Sequence, residues 1–196
     1  MKTLTVYKLH PEVVAPDFAT EQSACFDIAF QAHGKFTYKG YSYGNKQFER
    51  SLADGTLVIN SGDRVLVPTG LILDIPEGHS VRLHPRSGLS YKQGLVLANA
   101  EAVIDSDYVE ELFVILYNNS LNQITIHNGD RIAQGELVEK LVYDIGITNI
   151  RPERKTNRDG GLGSTGVATP PADVVVTFTE DEPLPKRGRG RPKKTS

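Results

Sequence analysis

Short runs of alternating or β-branched residues recur along the chain, and clusters of Gly, Pro, Asn and Asp separate them. Typical runs are TLVI, RVLVPTGLILDI and ELFVILYN. Strands bury one face by alternation, and regular turn signals between short strands are typical of a β-sandwich or barrel. No segment of ten or more residues carries a helical apolar stripe. The sequence therefore predicts an all-β fold with one short helix over residues 87–94, capped by Ser87.

The chain has 196 residues, which suits one domain with an appended tail. From Asn149 onwards the sequence loses apolar periodicity and becomes rich in Gly, Pro and charge. We therefore expect a core over residues 1–147, followed by a glycine-rich flexible arm and a tail, residues 148–168 and 169–196. Residues 34–55, rich in Gly, Tyr and charge, are predicted to form an inserted loop or hairpin, either without a role or at a subunit contact.

Charge and cysteine content exclude several kinds of site. The formal net charge is −2, so the whole chain does not indicate nucleic-acid binding. The single cysteine, Cys25, rules out an intrachain disulfide and a metal site made of several cysteines. None of the five histidines pairs with another at helical ligand spacing, so no zinc site is expected.

No targeting or membrane segment is visible in the sequence. The opening residues, MKTLTVYKLH, lack the apolar core of a signal peptide. No apolar run approaches the roughly 18 residues that a membrane span requires. We expect a soluble intracellular protein without membrane partners, located in the cytoplasm, or in the host cytoplasm if the chain is viral.

The stretch AVIDSDYVEEL, residues 102–112, places four carboxylates in a strand-like segment. The carboxylates of Asp105, Asp107, Glu110 and Glu111 repel one another and need solvent or a cationic partner. A carboxylate can act as a general base for water. An isolated aspartate is more often a turn or strand-end residue, so the surrounding motifs decide its role.

Five short motifs follow one another in the sequence: ACFDIAF, HPRSGLS, NAEAVIDSDYVEEL, GDRIAQ and RDGGLGSTG. In this order they resemble the trimeric dUTP pyrophosphatases (dUTPases), and the resemblance extends over residues 4–166. It implies a jelly-roll-like distorted β-barrel, a homotrimer, and hydrolysis of dUTP to dUMP and pyrophosphate with Mg²⁺. Each active site would draw on all three chains: one provides the second and fourth motifs, another the third, and the last its arm, which closes over the nucleotide.

The resemblance also assigns roles to individual residues. Asp105 matches the aspartate that activates water, and Tyr108 the ring that packs against deoxyribose. Asn99 matches the amide that hydrogen-bonds uracil at the start of a β-hairpin. The remaining acidic residues of that stretch are expected to face solvent or neighbouring chains. The complete set implied to bind substrate is Arg86, Ser87, Gly88, Asn99, Ile104, Tyr108, Gln134, Arg158, Leu162, Gly163, Ser164 and Thr165.

The phosphates need donors and a cation. Arg86 can donate charge-assisted hydrogen bonds, and the N–H groups near Ser87 and Gly88 suit an anion. Gln134 is expected to donate to a phosphate or to hold nearby structure. Asp27 is expected to support the metal–phosphate region through water or an arginine. The triphosphate and waters would hold Mg²⁺, with no direct protein ligand.

The sequence departs from the family pattern in several places. Leu162 replaces the aromatic of the fifth motif, and Asn157 stands in the register of its arginine, which leaves Arg158 or Arg154 for that role. Ala102 replaces the hairpin-turn glycine; a positive φ there would cost on the order of 1 kcal/mol. Val109 and Glu110 replace an Arg-Gly pair, which affects base and subunit contacts.

Two alternative functions stay open. A dCTP deaminase, of the same superfamily, has a catalytic glutamate where Ile115 stands and prefers a tryptophan at Tyr108. A regulatory module on the same scaffold would instead bind DNA or a protein. The tail segment PKRGRGRPKK, residues 185–194, resembles an AT-hook for A·T-rich DNA, with a solvated basic tail or targeting signal as the alternative.

Overall fold

The structure, a computed structural model, describes residues 2–157 and residue 160. The chain divides into two compact units, Met1–Asp144 and Ile145–Ser196. All the strands and the single helix among the described residues lie in the first unit. That helix has seven residues, and no described helix is long and apolar enough to cross a membrane.

Two five-stranded antiparallel sheets form the body of the first unit. The first sheet contains β4 (Thr37–Tyr41), β5 (Gln47–Ser51), β7 (Arg64–Pro68), β10 (Leu95–Leu97) and β12 (Phe113–Asn118). The second contains β2 (Asp17–Phe18), β3 (Phe26–Ala29), β9 (His79–His84), β11 (Ala102–Asp105) and β14 (Arg131–Glu139). The strand orders are β10-β12-β7-β4-β5 and β11-β9-β14-β3-β2.

Four further strands form two small antiparallel sheets. One joins β1 (Thr5–Lys8) to β8 (Leu71–Asp74), and the other joins β6 (Thr56–Ile59) to β13 (Ile124–His127). The sheets stay separate, so the described residues form no closed barrel. The all-β prediction is confirmed, and the arrangement is jelly-roll-like.

The inner faces of both large sheets contribute to one buried apolar cluster. Val65 and Val67 enter it from the first sheet, and Val81 and Leu83 enter it from the second. Burying one such side chain fully contributes about 1.5–3 kcal/mol. Alternation along the strands places the polar neighbours of the second sheet, such as Asp27, on its outer face.

A glycine in the central strand of the second sheet makes room for this core. A Cβ at Gly135 would lie 2.8 Å from ring atoms of Phe26 on the neighbouring strand β3. Since that approach is shorter than a van der Waals contact allows, the glycine lets the Phe26 ring lie across β14. The residues on either side of it, Gln134 and Glu136, are half-buried.

The helix α1 (Ser87–Gln93) confirms the predicted short helix but corrects its start. The N-cap is Arg86, whose backbone is extended and whose side chain makes no capping hydrogen bond, and Ser87 is the first helical residue. The prediction of Ser87 as the cap was therefore wrong. The helix ends at Gly94, whose φ of 70° belongs to the left-handed region that glycine adopts readily.

The segment around residues 34–55 forms a hairpin that extends the first sheet. Strands β4 and β5 pair in antiparallel register, and β4 also pairs with β7. The segment thus gains a ladder of backbone hydrogen bonds on one side and presents β5 as the sheet edge. Phe36 and Tyr43 are exposed on it.

The acidic stretch is only partly exposed to solvent. Asp105, Asp107 and Glu110 are exposed, but the Glu111 side chain is only 10 % exposed. Glu111 pairs with Lys35 at 2.6 Å between Nζ and Oε2 and accepts a hydrogen bond from the Gly70 backbone N–H. The expectation that Glu111 faces solvent or a neighbouring chain was wrong, because it holds this chain's own backbone in place.

The turn after β10 also differs from the expected hairpin. Strands β10 and β11 are not paired with each other; they belong to different five-stranded sheets, and the turn carries the chain between them. Ala102 is a regular residue of β11, whereas Ala100 has a φ of 60°. The alanine with the strained backbone is therefore Ala100, and the turn differs from the hairpin that the resemblance implied.

We predict that Ala100→Gly raises the free energy of unfolding by about 0.5–1 kcal/mol, since glycine adopts this φ without the clash of a Cβ. Ala102→Gly is the matched control and should lower it by about 0.5–1 kcal/mol, because glycine weakens a strand. Urea denaturation at equal protein concentration measures both. A loss of stability in both variants would contradict the assignment of strain to Ala100.

We also predict that Glu111→Gln lowers the free energy of unfolding by about 1–3 kcal/mol, because Lys35 would lose its ionic partner in a partly buried position. Glu110→Gln, at the exposed neighbour, should change it by less than about 0.5 kcal/mol. Equal effects of the two substitutions in thermal or urea unfolding would show that the Lys35–Glu111 pair does not stabilise the fold.

Candidate functional site

A polar pocket of about 450 Å³ lies where the first, second and fourth sequence motifs meet. Its lining residues come from the segment before β3, from β3 itself, from the start of α1 and from β14. They are Ala19, Ser23, Ala24, Cys25, Asp27, Arg86, Ser87, Gly88, Arg131 and Gln134.

Strand register explains why these distant segments converge. Gln134 of the central strand β14 lies opposite Asp27 on one side and opposite His84 on the other. Two residues after His84 the chain reaches Arg86 and enters α1. The hydrogen-bond ladder of the second sheet thus places the three motifs side by side.

Asp27 joins two arginines at the pocket. Its Oδ1 forms an ion pair with Arg86, 3.1 Å from Nε, and its Oδ2 accepts a hydrogen bond from Arg131 Nη1 at 2.8 Å. Arg86 Nη1 also donates to the Arg131 carbonyl oxygen at 2.9 Å. These contacts hold both guanidinium groups in fixed orientations, and the three side chains together keep one net positive charge for an anionic ligand.

The other lining residues supply uncharged hydrogen-bond donors, and one of them holds the segment before α1 in place. Ser87 and Gly88 are exposed in the first helical turn, where backbone N–H groups have no partner within the helix. Gln134 Nε2 donates to the Pro85 carbonyl oxygen at 3.1 Å, so it holds the segment that leads into α1. The pocket combines oriented cations with free backbone donors, as oxyanion binding requires.

The third-motif residues are not part of this pocket in one chain. Asp105 is exposed and lies opposite Ser80, four residues before His84, roughly 13 Å along the strand. Ile104 packs against the core. Asn99 is exposed in the turn, and the Tyr108 hydroxyl donates to the Glu111 carbonyl oxygen at 2.8 Å. One chain therefore presents two separate surfaces.

Several predicted residues lie outside the described part of the chain. These are the fifth-motif residues Arg158, Leu162, Gly163, Ser164 and Thr165, together with the basic segment 185–194. Their assignments stay predictions.

Sequence reasoning gave no role to Arg131, or to three residues beside the pocket: Cys25, His84 and Glu136. Arg131 lies within the fourth motif, GDRIAQ, so the sequence could have indicated it as a residue of the site. Burial raises the pKa of the Cys25 thiol, and the negative charge of Glu136 raises it further. Without a cation beside it, a thiol with a raised pKa is a poor nucleophile at neutral pH. Cys25, His84 and Glu136 are brought together only by the register of the strands.

Comparison with known proteins supports one family. The dUTPase family model matches residues 50–166, more than half of the chain. A deoxyuridine 5'-triphosphate nucleotidohydrolase from Syntrophotalea carbinolica is 32 % identical over 169 residues, which cover 85 % of this chain and 99 % of the relative.

Solved structures share the fold. A dUTPase of Staphylococcus bacteriophage 80alpha, solved with dUpNHpp, is 22 % identical with a TM-score of 0.66, covering 85 % of this chain and all of its own. A dUTPase from phage phi11 of S. aureus, described with a structural Mg(II) ion, is 21 % identical with a TM-score of 0.60, covering 78 % of this chain and 100 % of its own.

The motif order, the convergence of three motifs at one cationic pocket and the match over more than half of the sequence lead to one conclusion. The chain belongs to the dUTPase family.

Proposed function

We propose that the chain hydrolyses dUTP to dUMP and pyrophosphate. The observation that carries this proposal is the pocket in which Asp27 orients Arg86 and Arg131, in a chain of the dUTPase family. A nucleoside triphosphate carries several negative charges, and oriented guanidinium groups with free backbone N–H groups match them. The family member from Syntrophotalea carbinolica is named for this activity.

Phosphate binding falls to Arg86, Ser87 and Gly88, with Arg131 as an additional donor. Both guanidinium groups are fixed by Asp27 before ligand arrives, so little side-chain entropy is lost on binding. Gln134 acts indirectly, by holding Pro85 in place. The fifth-motif residues Arg158, Leu162, Gly163, Ser164 and Thr165 would add contacts when the arm closes.

Asp105 is proposed as the general base. It takes a proton from a water molecule whose oxygen attacks the α-phosphorus; the bond to the bridging oxygen breaks, and pyrophosphate leaves with the electron pair. Because Asp105 is exposed at the end of β11, its carboxylate is available to a water on a bound ligand. A positioned general base typically raises the reaction rate by about 10²–10⁴-fold.

The nucleoside would lie against Tyr108, Asn99 and Ile104. The Tyr108 hydroxyl is held by the Glu111 carbonyl oxygen, and Glu111 is itself held by Lys35. The ring, 40 % exposed, therefore has a fixed orientation and an open face for deoxyribose. The Asn99 amide offers a donor and an acceptor, as uracil does.

A second copy of the chain would bring the pocket around Asp27 together with the third-motif residues. We call the polar pocket that Asp27, Arg86 and Arg131 line the phosphate pocket. In one chain this pocket and the third motif lie on separate surfaces, so we propose a homotrimer in which the pocket of one subunit meets Asp105 and Tyr108 of the next. Cyclic symmetry repeats such a heterologous contact three times and closes the ring.

Mg²⁺ is the proposed cofactor, and the pocket lining is compatible with it. Asp27 is the single carboxylate among the lining residues, and both its oxygens are already paired with arginines. Magnesium in nucleotide sites uses one or two carboxylates, substrate phosphates and several waters. Asp27 would support the ion through water, and bound Mg²⁺ would neutralise phosphate charge.

The deaminase alternative is not favoured by the described site. Ile115 lies on β12 of the first sheet, is 39 % exposed and offers no proton-transfer group. Release of ammonia from dCTP, in place of pyrophosphate from dUTP, would reveal that activity.

We predict that Asp105→Asn lowers the rate of pyrophosphate release from dUTP by about 10²–10⁴-fold, because the amide cannot accept the proton. Affinity for a non-hydrolysable dUTP analogue should change little, since the amide keeps the size of the side chain. Asp107→Asn, two residues further along and also exposed, is the matched control and should retain turnover. An Asp105→Asn enzyme as fast as the unaltered one would refute the assignment.

We predict that two inactive variants restore activity when they assemble together. Arg86→Ala and Asp105→Asn chains, mixed during refolding, should regain up to roughly a quarter of the sites, since an intact site needs Arg86 from one chain and Asp105 from another. Asp105→Asn chains mixed with the double variant should stay inactive. A mixture no more active than its separate components would show that each site uses one chain alone.

A further inference from the structure

Three side chains with metal-binding atoms meet on the outer face of the second sheet. They are Cys25, His84 and Glu136, and one potential ligand atom of each lies within 4.8 Å of those of the other two. All three are half-buried. Cys25 also lines the phosphate pocket, so the cluster lies at the rim of that pocket.

Strand pairing creates the cluster. Cys25 directly precedes β3, His84 ends β9, and Glu136 lies on β14 between those strands. Glu136 is two residues beyond Gln134, which lies opposite His84, so the two side chains share a face of the sheet. The sequence predicted no zinc site because no histidines pair at helical ligand spacing. That criterion does not apply to ligands that a sheet brings together.

The geometry fits a shared cation. His84 Nε2 lies 3.1 Å from Glu136 Oε1. Two ligand atoms that bind one tetrahedral zinc at about 2.0–2.1 Å are about 3.3 Å apart. The imidazole and carboxylate thus need to move little to bind the same ion. Cys25 releases its thiol proton to solvent when the ion binds, and its thiolate completes a sulfur, nitrogen and oxygen donor set.

A further carboxylate supports the histidine from its other side. His84 Nδ1 lies 3.7 Å from Glu101 Oε2. Metal-bound imidazoles commonly direct their second ring nitrogen at a carboxylate, which fixes the ring and strengthens the ligand. Glu101 also pairs with Arg82 at 3.1 Å, so the nearby guanidinium is already neutralised.

We propose that Cys25, His84 and Glu136 bind one divalent cation of the zinc class per chain, at the rim of the phosphate pocket. Mixed thiolate, imidazole and carboxylate ligands select Zn²⁺ or Co²⁺ over Mg²⁺, which prefers oxygen. This site is therefore distinct from the magnesium of the proposed reaction. The bound ion would join β3, β9 and β14 directly beside the pocket and stabilise the folded chain.

One other cluster must be distinguished in the test. His10, Glu12 and His33 also lie within ligand reach of one another, but Glu12 and His10 are exposed and the two imidazole rings are stacked. This group contains no thiol. A readout that depends on sulfur therefore reports only on the proposed site.

The test is titration of the full chain, stripped of metal by a chelator, with Co²⁺ and then with Zn²⁺. We expect a thiolate-to-cobalt absorption band that saturates at one ion per chain and disappears on addition of Zn²⁺. Cys25→Ser should abolish the band, and His84→Asn and Glu136→Gln should each weaken binding at least about 10-fold. Glu139→Gln, at the exposed end of β14, and His33→Asn are controls that should bind Co²⁺ unchanged.

Either of two results of the cobalt titration would overturn the proposal: no such band in the unaltered chain at saturating Co²⁺, or an unchanged band in His84→Asn. Circular dichroism shows whether each variant is folded. X-ray absorption at the zinc edge of the unaltered chain needs no variant: a shell with one sulfur and lighter atoms supports the site, and a shell without sulfur contradicts it. None of these readouts depends on dUTP hydrolysis.

Discussion

The pairing of β14 with β3 and β9 is the constraint on which the functional surface depends. This central strand places Gln134 opposite both Asp27 and His84, residues that are far apart in the sequence. Because side chains alternate along a strand, a one-residue slip of β14 would turn Gln134 and Glu136 towards the core and away from Asp27 and His84. The backbone ladder, with Gly135 leaving room for the Phe26 ring, fixes the pocket that Asp27, Arg86 and Arg131 line.

Charge pairing then determines what the pocket can bind. Asp27 uses one oxygen for Arg86 and the other for Arg131, so the two cations are held close together although they repel each other. The energetic cost of this arrangement is lowered by the carboxylate and lowered further by an anionic ligand. Glu111 is similarly placed: its carboxylate pairs with Lys35 and accepts from the Gly70 N–H, and its carbonyl oxygen accepts from the Tyr108 hydroxyl.

Local sequence patterns predicted the strands and the helix well, because alternation and turn residues are local signals. They predicted capping and strain less well: Arg86, not Ser87, caps the helix, and Ala100, not Ala102, has the positive φ. Those features depend on how the chain passes between two sheets. Motif order predicted the family correctly, and it pointed to Asp27, Arg86 and Gln134, which the structure brings to one pocket. No local pattern indicates that Cys25, His84 and Glu136 are close, since their proximity follows from strand register alone.

The central claim is that the phosphate pocket of one chain is completed by the third motif of another. A crystal structure of the full chain with Mg²⁺ and an α,β-imido analogue of dUTP tests it most directly. We predict phosphates against Arg86 and Ser87 of one subunit and the Asp105 carboxylate of a neighbouring subunit facing the α-phosphorus. Phosphates bound away from Arg86, or an Asp105 from the same chain at the α-phosphorus, would contradict it.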